Sequence, residues 1–312
     1  MQTDTRPIPI TVTDEVADAV QSGHPVVALE STIVTHGMPW PENLQTAQAV
    51  EAAVRDSGAV PATVAVIEGE LCAGLSSDVL ERLAKADDVM KLSRADLAMA
   101  VARGANGSTT VAATMIAAAL AGIHVFATGG IGGVHRGAEA SFDISADLQE
   151  LSRTDVTVVC AGAKAILDLP KTLEVLETLG VPVLAYGQDA LPAFWSRDSG
   201  LAAPLRVDDV DEIVAFRAAR QRLAIDGGVL VARPVDSEHE IPRTEMQAHI
   251  EQALTDASRA GVRGKRVTPW LLGRIVELTD GRSLATNREL ILGNARLAGE
   301  IAGGYSRLGG VG

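Results

Sequence analysis

The chain has 312 residues, of which 47% are hydrophobic and only 3% aromatic, and its formal net charge is −13. That composition calls for an aliphatic core of the kind found where helices cover a largely parallel sheet, whose buried strands read as continuous apolar runs. The acidic balance argues against a general nucleic-acid or membrane-surface binder, since both need a basic face; an anionic substrate stays open where basic groups gather locally.

In chain order, residues 14–22 predict a short helix with Thr13 as its cap, and VVALEST is an apolar strand ending at Glu30. A loop carrying His36, Gly37 and two prolines follows. Asn43 can cap the helix LQTAQAVEAAVRDSG, in which Ala47, Val50 and Val54 recur at helical spacing and Gly58 closes the element. ATVAVIEGELCAGL predicts two short strands about a turn at Glu68-Gly69-Glu70, and Ser77-Asp78 starts a helix ending near Ala86. The stretch 91–96 leads into a short helix, GANGSTT opens an alanine-rich one, and IHVFATGG is a strand running into a glycine loop. DVTVVCAGAK is a further strand, and the helical stretch 165–179 after it is interrupted or restarted at Pro170. The strand VPVLAYG, an irregular DALPAFWSR, the amphipathic helix DDVDEIVAFRAARQRLAID and the strand GGVLVARPV come next. The remainder reads as helical over 243–260, 269–279 and 286–303. The repeated strand–loop–helix order predicts an α/β fold, a layered α/β/α sandwich around a central, largely parallel or mixed sheet. No composition break or linker divides 1–312, so one domain is expected.

Cys72 and Cys160 lie in apolar sequence and read as buried small hydrophobes, with nothing to suggest a disulfide framework or a zinc site. The opening segment has acidic residues and no long apolar run, unlike a signal peptide. No uninterrupted apolar run reaches the roughly 18 residues of a membrane span, so a cytoplasmic protein is expected.

Chemistry-bearing residues recur at strand ends. Glu30 directly follows a buried strand, at the sheet edge where open α/β folds place ligands. Partial burial there would let it donate a proton near neutral pH; a strand-end glutamate bonded to the next loop is the alternative. In GANGSTTV, Gly104 and Gly107 permit close backbone approach, and Ser108, Thr109 and Thr110 stand where a helix begins. Free N–H groups, hydroxyls and the helix dipole can together hold an anion, or a serine can merely cap the helix. The Gly-Lys-Ser/Thr ending of a Walker loop is missing. Lys91 and Arg94 upstream can add positive charge. TGGIGGVHRG lacks the spacing of a dinucleotide fingerprint, which leaves its glycines to wrap a small ligand with His135 as a polar contact. FDISAD sets Asp143 and Asp147 at i, i+4, sharing a face on a helix or a strand. A hard divalent cation held by oxygen and water suits a stretch so poor in His and Cys, with capping by Asp143 as the competing explanation. Lys164 is one of five lysines and follows VVC and AGA, whose small residues leave room for a ligand. Desolvation there would suit a Schiff-base or nucleophilic lysine; a surface lysine at a helix start, which the dipole disfavours, is the bland reading.

Taken together, VALESTIVTHGMPWPEN, KLSRADL, GSTTVAATMIAAALAGIHVFATGGIGGVHRGAE, SFDISADLQEL and TVVCAGAKAILD resemble the pseudouridine-5′-phosphate glycosidases. The likeness extends over nearly the whole chain, through VPVLAYG, LPAFWSR, GGVLVA, TPWLL and TNREL. It implies reversible cleavage of the C–C glycosidic bond of pseudouridine 5′-phosphate with water, giving uracil and ribose 5-phosphate in pseudouridine catabolism, through a covalent lysine–ribose imine. Glu30 would then be the proton donor, Lys164 the nucleophile, and Asp143 the ligand of one divalent metal, typically Mn²⁺, held largely through water. Lys91, the backbone around Val111, and Ser145, Ala146 and Asp147 would contact substrate, with His135 and Asn287 as further contacts. A homotrimer is also implied, with neither nucleic acid nor membrane as partner. Two other readings compete: a Schiff-base aldolase acting on a phosphorylated sugar, and a non-enzymatic sugar-phosphate-binding protein.

Overall fold

A computed structural model describes residues 10–309; the leader-free reading of the opening segment falls mainly on residues 1–9, outside that range. The strands, in chain order, are β1 (Thr11–Val12), β2 (Val26–Leu29), β3 (Val60–Ile67), β4 (Glu70–Ala73), β5 (Met90–Leu92), β6 (Gly107–Thr109), β7 (Val125–Ala127), β8 (Thr157–Cys160), β9 (Val183–Tyr186), β10 (Leu205–Val207) and β11 (Val229–Ala232). The α-helices are α1 (Asp14–Gln21), α2 (Glu42–Asp56), α3 (Ser77–Lys85), α4 (Leu97–Ala102), α5 (Val111–Leu120), α6 (Ala138–Ser141), α7 (Ala146–Leu151), α8 (Leu169–Thr178), α9 (Val210–Arg222), α10 (Arg243–Arg259), α11 (Val267–Leu278) and α12 (Arg282–Gly309).

The strands join in one sheet of order β1-β4-β3-β2-β7-β8-β11-β9-β10, with β6 paired to β3 and β5 paired to β6. All pairings are parallel except those that set β4 and β6 against β3. The expected α/β fold with a largely parallel, mixed sheet is therefore present. Strands β2, β8 and β11 are buried along their whole length, as parallel strands covered by helices must be. On this sheet α12 packs along α2 and α9 and across β7 and β8, while α5 packs against α7. No helix among the described residues is long and apolar enough to cross a membrane.

The order matters most at the centre. Ala28 and Leu29 of β2 pair with Phe126 and Ala127 of β7, and Ala127 pairs in turn with Val159 of β8. Three neighbouring parallel strands thus end at one level, and the loops leaving them begin side by side.

Several local expectations shift. Asn43 does not cap α2; it lies inside the helix, 3% exposed, and its amide donates to the carbonyls of Val34 (2.6 Å) and Ala84 (2.9 Å). Val34 belongs to a π-helical turn, Ile33–Gly37, within the stretch read as loop, so Asn43 pins the turn that carries His36. Thr13 stands at the N-cap of α1 without a side-chain capping bond. Residues 165–168 are not helical: α8 starts at Leu169, with Asp168 accepting from the Lys171 amide (3.1 Å) and Pro170 in the first turn, where a missing N–H costs nothing. Strands β1 and β10 and helices α6 and α7 are too short to show a period in sequence. Both cysteines are free; Cys160 is fully buried, which pushes its thiol up to about 12.

Phe126 sits at the centre of β7 with no exposed surface. Phe126→Ala should cost about 3–5 kcal/mol, the range for emptying a buried aromatic site. The check is a lower urea midpoint at unchanged slope; an unaltered midpoint would show that β7 does not anchor the sheet.

Candidate active site

The three central loops close around a cavity of about 200 Å³. Glu30 enters it directly after β2, Gly129, Gly130, Gly132 and His135 from the loop after β7, and Lys164 from the segment after β8. Lys91 on β5, Val111 at the start of α5, Ser145, Asp147 and Asn287 on α12 also line it. Of the residues that the family resemblance assigned to the site, Asp143 and Ala146 are outside this lining; Asp143 is half-buried, and Ala146 is exposed.

Glu30 is held by two hydroxyls, Thr32 donating to one carboxylate oxygen and Thr128 to the other. Lys164 donates its ammonium to the Gly130 carbonyl. The backbone beneath it is fixed by a parallel bridge between Ile131 and Ala163, with the Ile131 amide donating to the Gly162 carbonyl (3.1 Å) and the Lys164 amide to the Ile131 carbonyl (3.1 Å). Lys164 is therefore not a helix-start lysine, because α8 begins only at Leu169.

Two glycines of the loop are required by packing. A Cβ on Gly130 would stand 2.7 Å from the Phe194 ring, and one on Gly132 would stand 2.3 Å from Ser145 Oγ and 2.8 Å from Asp147 Oδ2. Phe194 itself adopts φ 61°, a costly left-handed conformation for a bulky residue. Its amide bond to the Ala161 carbonyl (2.9 Å) and its edge-on contact with Trp195 hold it there as a cavity wall.

The pair Asp143 and Asp147 does not share a face. A bridge between Val134 and Ile144 keeps Asp143 in an extended hairpin, and the helix begins only at Ala146. Asp147, 6% exposed, accepts from the amides of Ala112 (2.9 Å) and Gly132 (2.8 Å), tying the first turn of α5 to the glycine loop. The anion-site reading of GSTT changes accordingly. The Thr109 hydroxyl donates to the Val64 carbonyl (2.9 Å) in the core, and Ser108 lies 3.2 Å from His36 Nδ1. Thr110 alone of the three lines the cavity, where its buried hydroxyl has no partner among the described residues. Arg94 is committed elsewhere, to a two-pronged pair with the buried Glu150 (2.5 and 2.8 Å).

Two of the five lysines of this acidic chain, Lys91 and Lys164, line the cavity beside the carboxylates of Glu30 and Asp147. Burial first, then the positive charge of Lys91, holds the His36 imidazole below its usual range. Burial does the same to His135, opposed by Asp143 and reinforced by Lys164 and Lys91. Asn287 brings a buried amide oxygen that has no partner among the described residues. Sequence reading gave no role to His36, Thr32, Thr128 or Phe194. The signal for His36 was its place in a Gly- and Pro-rich loop after the strand of Glu30. A larger cavity of about 550 Å³, between α8 and α10, contains neither Glu30 nor Lys164; the smaller one holds the chemistry.

A family model described as indigoidine synthase A like protein matches residues 15–304. The chain is 63% identical over 295 residues to a pseudouridine-5′-phosphate glycosidase of Jannaschia sp. (strain CCS1), covering 95% of this chain and 98% of that protein. It is 64% identical over 295 residues to one from Paracoccus denitrificans (strain Pd 1222), covering 94% and 97%. Among solved structures it resembles the prealnumycin C-glycosynthase AlnA in complex with ribulose 5-phosphate, with a TM-score of 0.89, 39% identity and coverage of 96% and 98%. An indigoidine synthase A-like protein of Thermotoga maritima superposes with a TM-score of 0.88, at 34% identity and coverage of 98% and 100%. The chain belongs to the indigoidine synthase A-like family and, within it, to the pseudouridine-5′-phosphate glycosidases.

The histidines predict a pH dependence of stability. His36 and His135 bind a proton less readily when folded than at their unfolded value of 6.5. Their contribution is therefore complete above that value and is lost as pH falls through it toward the folded values. Urea midpoints should fall between about pH 7.5 and about pH 5.5, and the double variant His36→Asn, His135→Asn should show a shallower fall. An equal slope in both proteins would contradict this electrostatic picture.

Proposed function

We propose that this family member cleaves the C–C glycosidic bond of pseudouridine 5′-phosphate with water, reversibly, to uracil and ribose 5-phosphate, through an imine on Lys164. One observation carries the reading: Glu30 and Lys164 leave two strands on either side of β7 and line the same cavity. The names of the relatives at about 60% identity support it from a separate direction.

Uracil joined through carbon is a poor leaving group, because direct departure would leave a carbanion on the ring. A two-carboxylate oxocarbenium route, as in O-glycoside hydrolysis, does not solve that. In the proposed sequence Glu30 gives its proton to the ribose ring oxygen as the C1′–O bond opens, and the Lys164 amine adds at C1′. Protonation of the uracil ring carbon then lets the C1′–C bond break, its electron pair leaving with uracil and C1′ becoming an iminium. Water adds to that carbon and the lysine departs, releasing the aldehyde of ribose 5-phosphate. Lys91, the Val111 amide and Thr110 bind the phosphate: Lys91 lies on β5 beside β6, and the unpartnered Thr110 hydroxyl opens α5 from the next position. Ser145, Asp147, His135 and Asn287 shape the sugar and base subsites, while Ala146 lies outside the cavity. Asp147 acts through the two amides it holds.

Among the described residues no three His, Cys, Asp or Glu side chains gather as a metal cage. Asp143, with His135 within electrostatic reach, fits a divalent cation that keeps most of its waters, a habit of small hard ions. In this reading Asp143 holds one Mn²⁺ per subunit, and the ion would supply positive charge beside the sugar. The chain works as a single domain, in a homotrimer in the cytoplasm, in pseudouridine breakdown; those elements rest on the family resemblance.

Wild-type protein given pseudouridine 5′-phosphate should release uracil and ribose 5-phosphate in equal amounts. Borohydride added with ribose 5-phosphate should fix the sugar on the peptide carrying Lys164. Lys164→Ala should lose both, and a Lys164→Ala protein that still labels would sink the imine. For the metal, Asp143→Ala should raise the Mn²⁺ concentration for half activation by about tenfold or more, since loss of even an outer partner costs that much. An unchanged requirement would remove Asp143 from the metal site.

A further inference from the structure

Beside the active-site cavity lies a small void of about 20 Å³, bordered by Glu30, Thr63 and Thr128 and otherwise mainly by apolar residues such as Leu29, Ala47, Val50 and Ile291. That is enough room for one water, and three polar side chains at its wall are enough to hold it. Thr63, 2% exposed on β3, lies beside Leu29 in the register of β2 and β3 and donates its hydroxyl to Glu51 at 2.5 Å. Glu51 is a half-buried carboxyl on α2 to which the proposed reaction gives no task. Its outer side meets Arg55, which is itself paired with Glu15 of α1 at the surface.

We infer that Glu51, through the Thr63 hydroxyl and one water in this void, exchanges protons with Glu30 from the α2 side. The inference rests on the reading of Glu30 as proton donor. Substrate in the active-site cavity covers Glu30 on that side, and Glu30 must still be reset in every turnover. In the transfer, the Glu51 acid gives its proton to Thr63 Oγ as the Thr63 hydroxyl proton passes to the water and a water proton passes to the Glu30 carboxylate. Only O–H bonds form and break, and one proton moves in all. The hydroxyl can turn about its C–O bond to serve either direction. The observed orientation, with Thr63 donating to Glu51, is the one that returns a proton outward. Burial is the largest influence on Glu51 and pushes its carboxyl up, the Thr63 bond and Arg55 pull it down, and Glu15 pushes it up again. Burial thus makes Glu51 hold a proton more readily than an exposed glutamate, the direction that suits a proton-giving acid.

The test uses the full chain with pseudouridine 5′-phosphate and compares wild type, Glu51→Gln, Thr63→Val, Glu51→Asp and Glu30→Gln. Glu51→Gln keeps an acceptor for Thr63, and Thr63→Val cuts the relay without touching either carboxyl, so one decides if the other does not fold. Each should lower kcat by about tenfold with KM within about twofold of wild type. The solvent deuterium isotope effect on kcat should rise in both, and Glu51→Asp should restore part of the rate. Wild-type kcat and isotope effect in both variants would overturn the relay alone, provided Glu30→Gln is inactive. A lower kcat with an unchanged isotope effect would also overturn it, by assigning Glu51 a structural role. No uracil from wild type would bring down the parent reading and the relay with it.

Discussion

Everything at this site depends on three parallel strands, β2, β7 and β8, lying side by side and ending together. Parallel neighbours in register deliver their following residues to one edge of the sheet, where an α/β fold has free loop backbone and no covering helix. Glu30, the glycine loop and Lys164 meet for that reason, although 134 positions separate the acid from the lysine in sequence. The bridge from Ile131 to Ala163 extends the β7–β8 pairing past the strand ends. The Lys164 side chain is thus aimed by sheet geometry, with the Gly130 carbonyl as its resting partner.

A second constraint is electrostatic. In a chain of net charge −13, an anionic ligand needs a pocket where negative groups are already satisfied. Asp147 spends both oxygens on backbone amides and Glu30 is bonded by two hydroxyls, while Glu150, outside the pocket, is paired with Arg94 and accepts from the Thr154 hydroxyl. Lys91, Lys164 and two imidazoles line the same cavity, together with polar atoms of Thr110 and Asn287 that have no partner among the described residues. Asp147 also makes the cavity mechanically coherent, since one carboxylate joins the start of α5 to the loop that carries the lysine's carbonyl partner.

The sequence was most legible where a side chain follows a strand. Glu30 and Lys164 could be placed at the sheet edge because their strands are continuous apolar runs, and parallel packing leaves such runs nowhere else to go. Contacts between distant segments were not legible. Asn43 looked like a cap, and only the fold shows it reaching Val34 and Ala84. The DxxxD spacing suggested a shared face, but an extended bridge precedes the helix there. Arg94 looked like a phosphate partner until Glu150, far along the chain, appeared beside it. Thr128 reads as a strand residue in sequence, and its bond to Glu30 exists only because β2 and β7 are neighbours.

The most direct measurement is a crystal structure of the protein soaked with ribose 5-phosphate at high occupancy. The account predicts continuous density from Lys164 Nζ to the sugar's C1, Glu30 beside the sugar oxygens, and the phosphate at Lys91, Thr110 and the Val111 amide. A sugar phosphate seated in the larger cavity between α8 and α10, with Lys164 still bound to the Gly130 carbonyl, would contradict it.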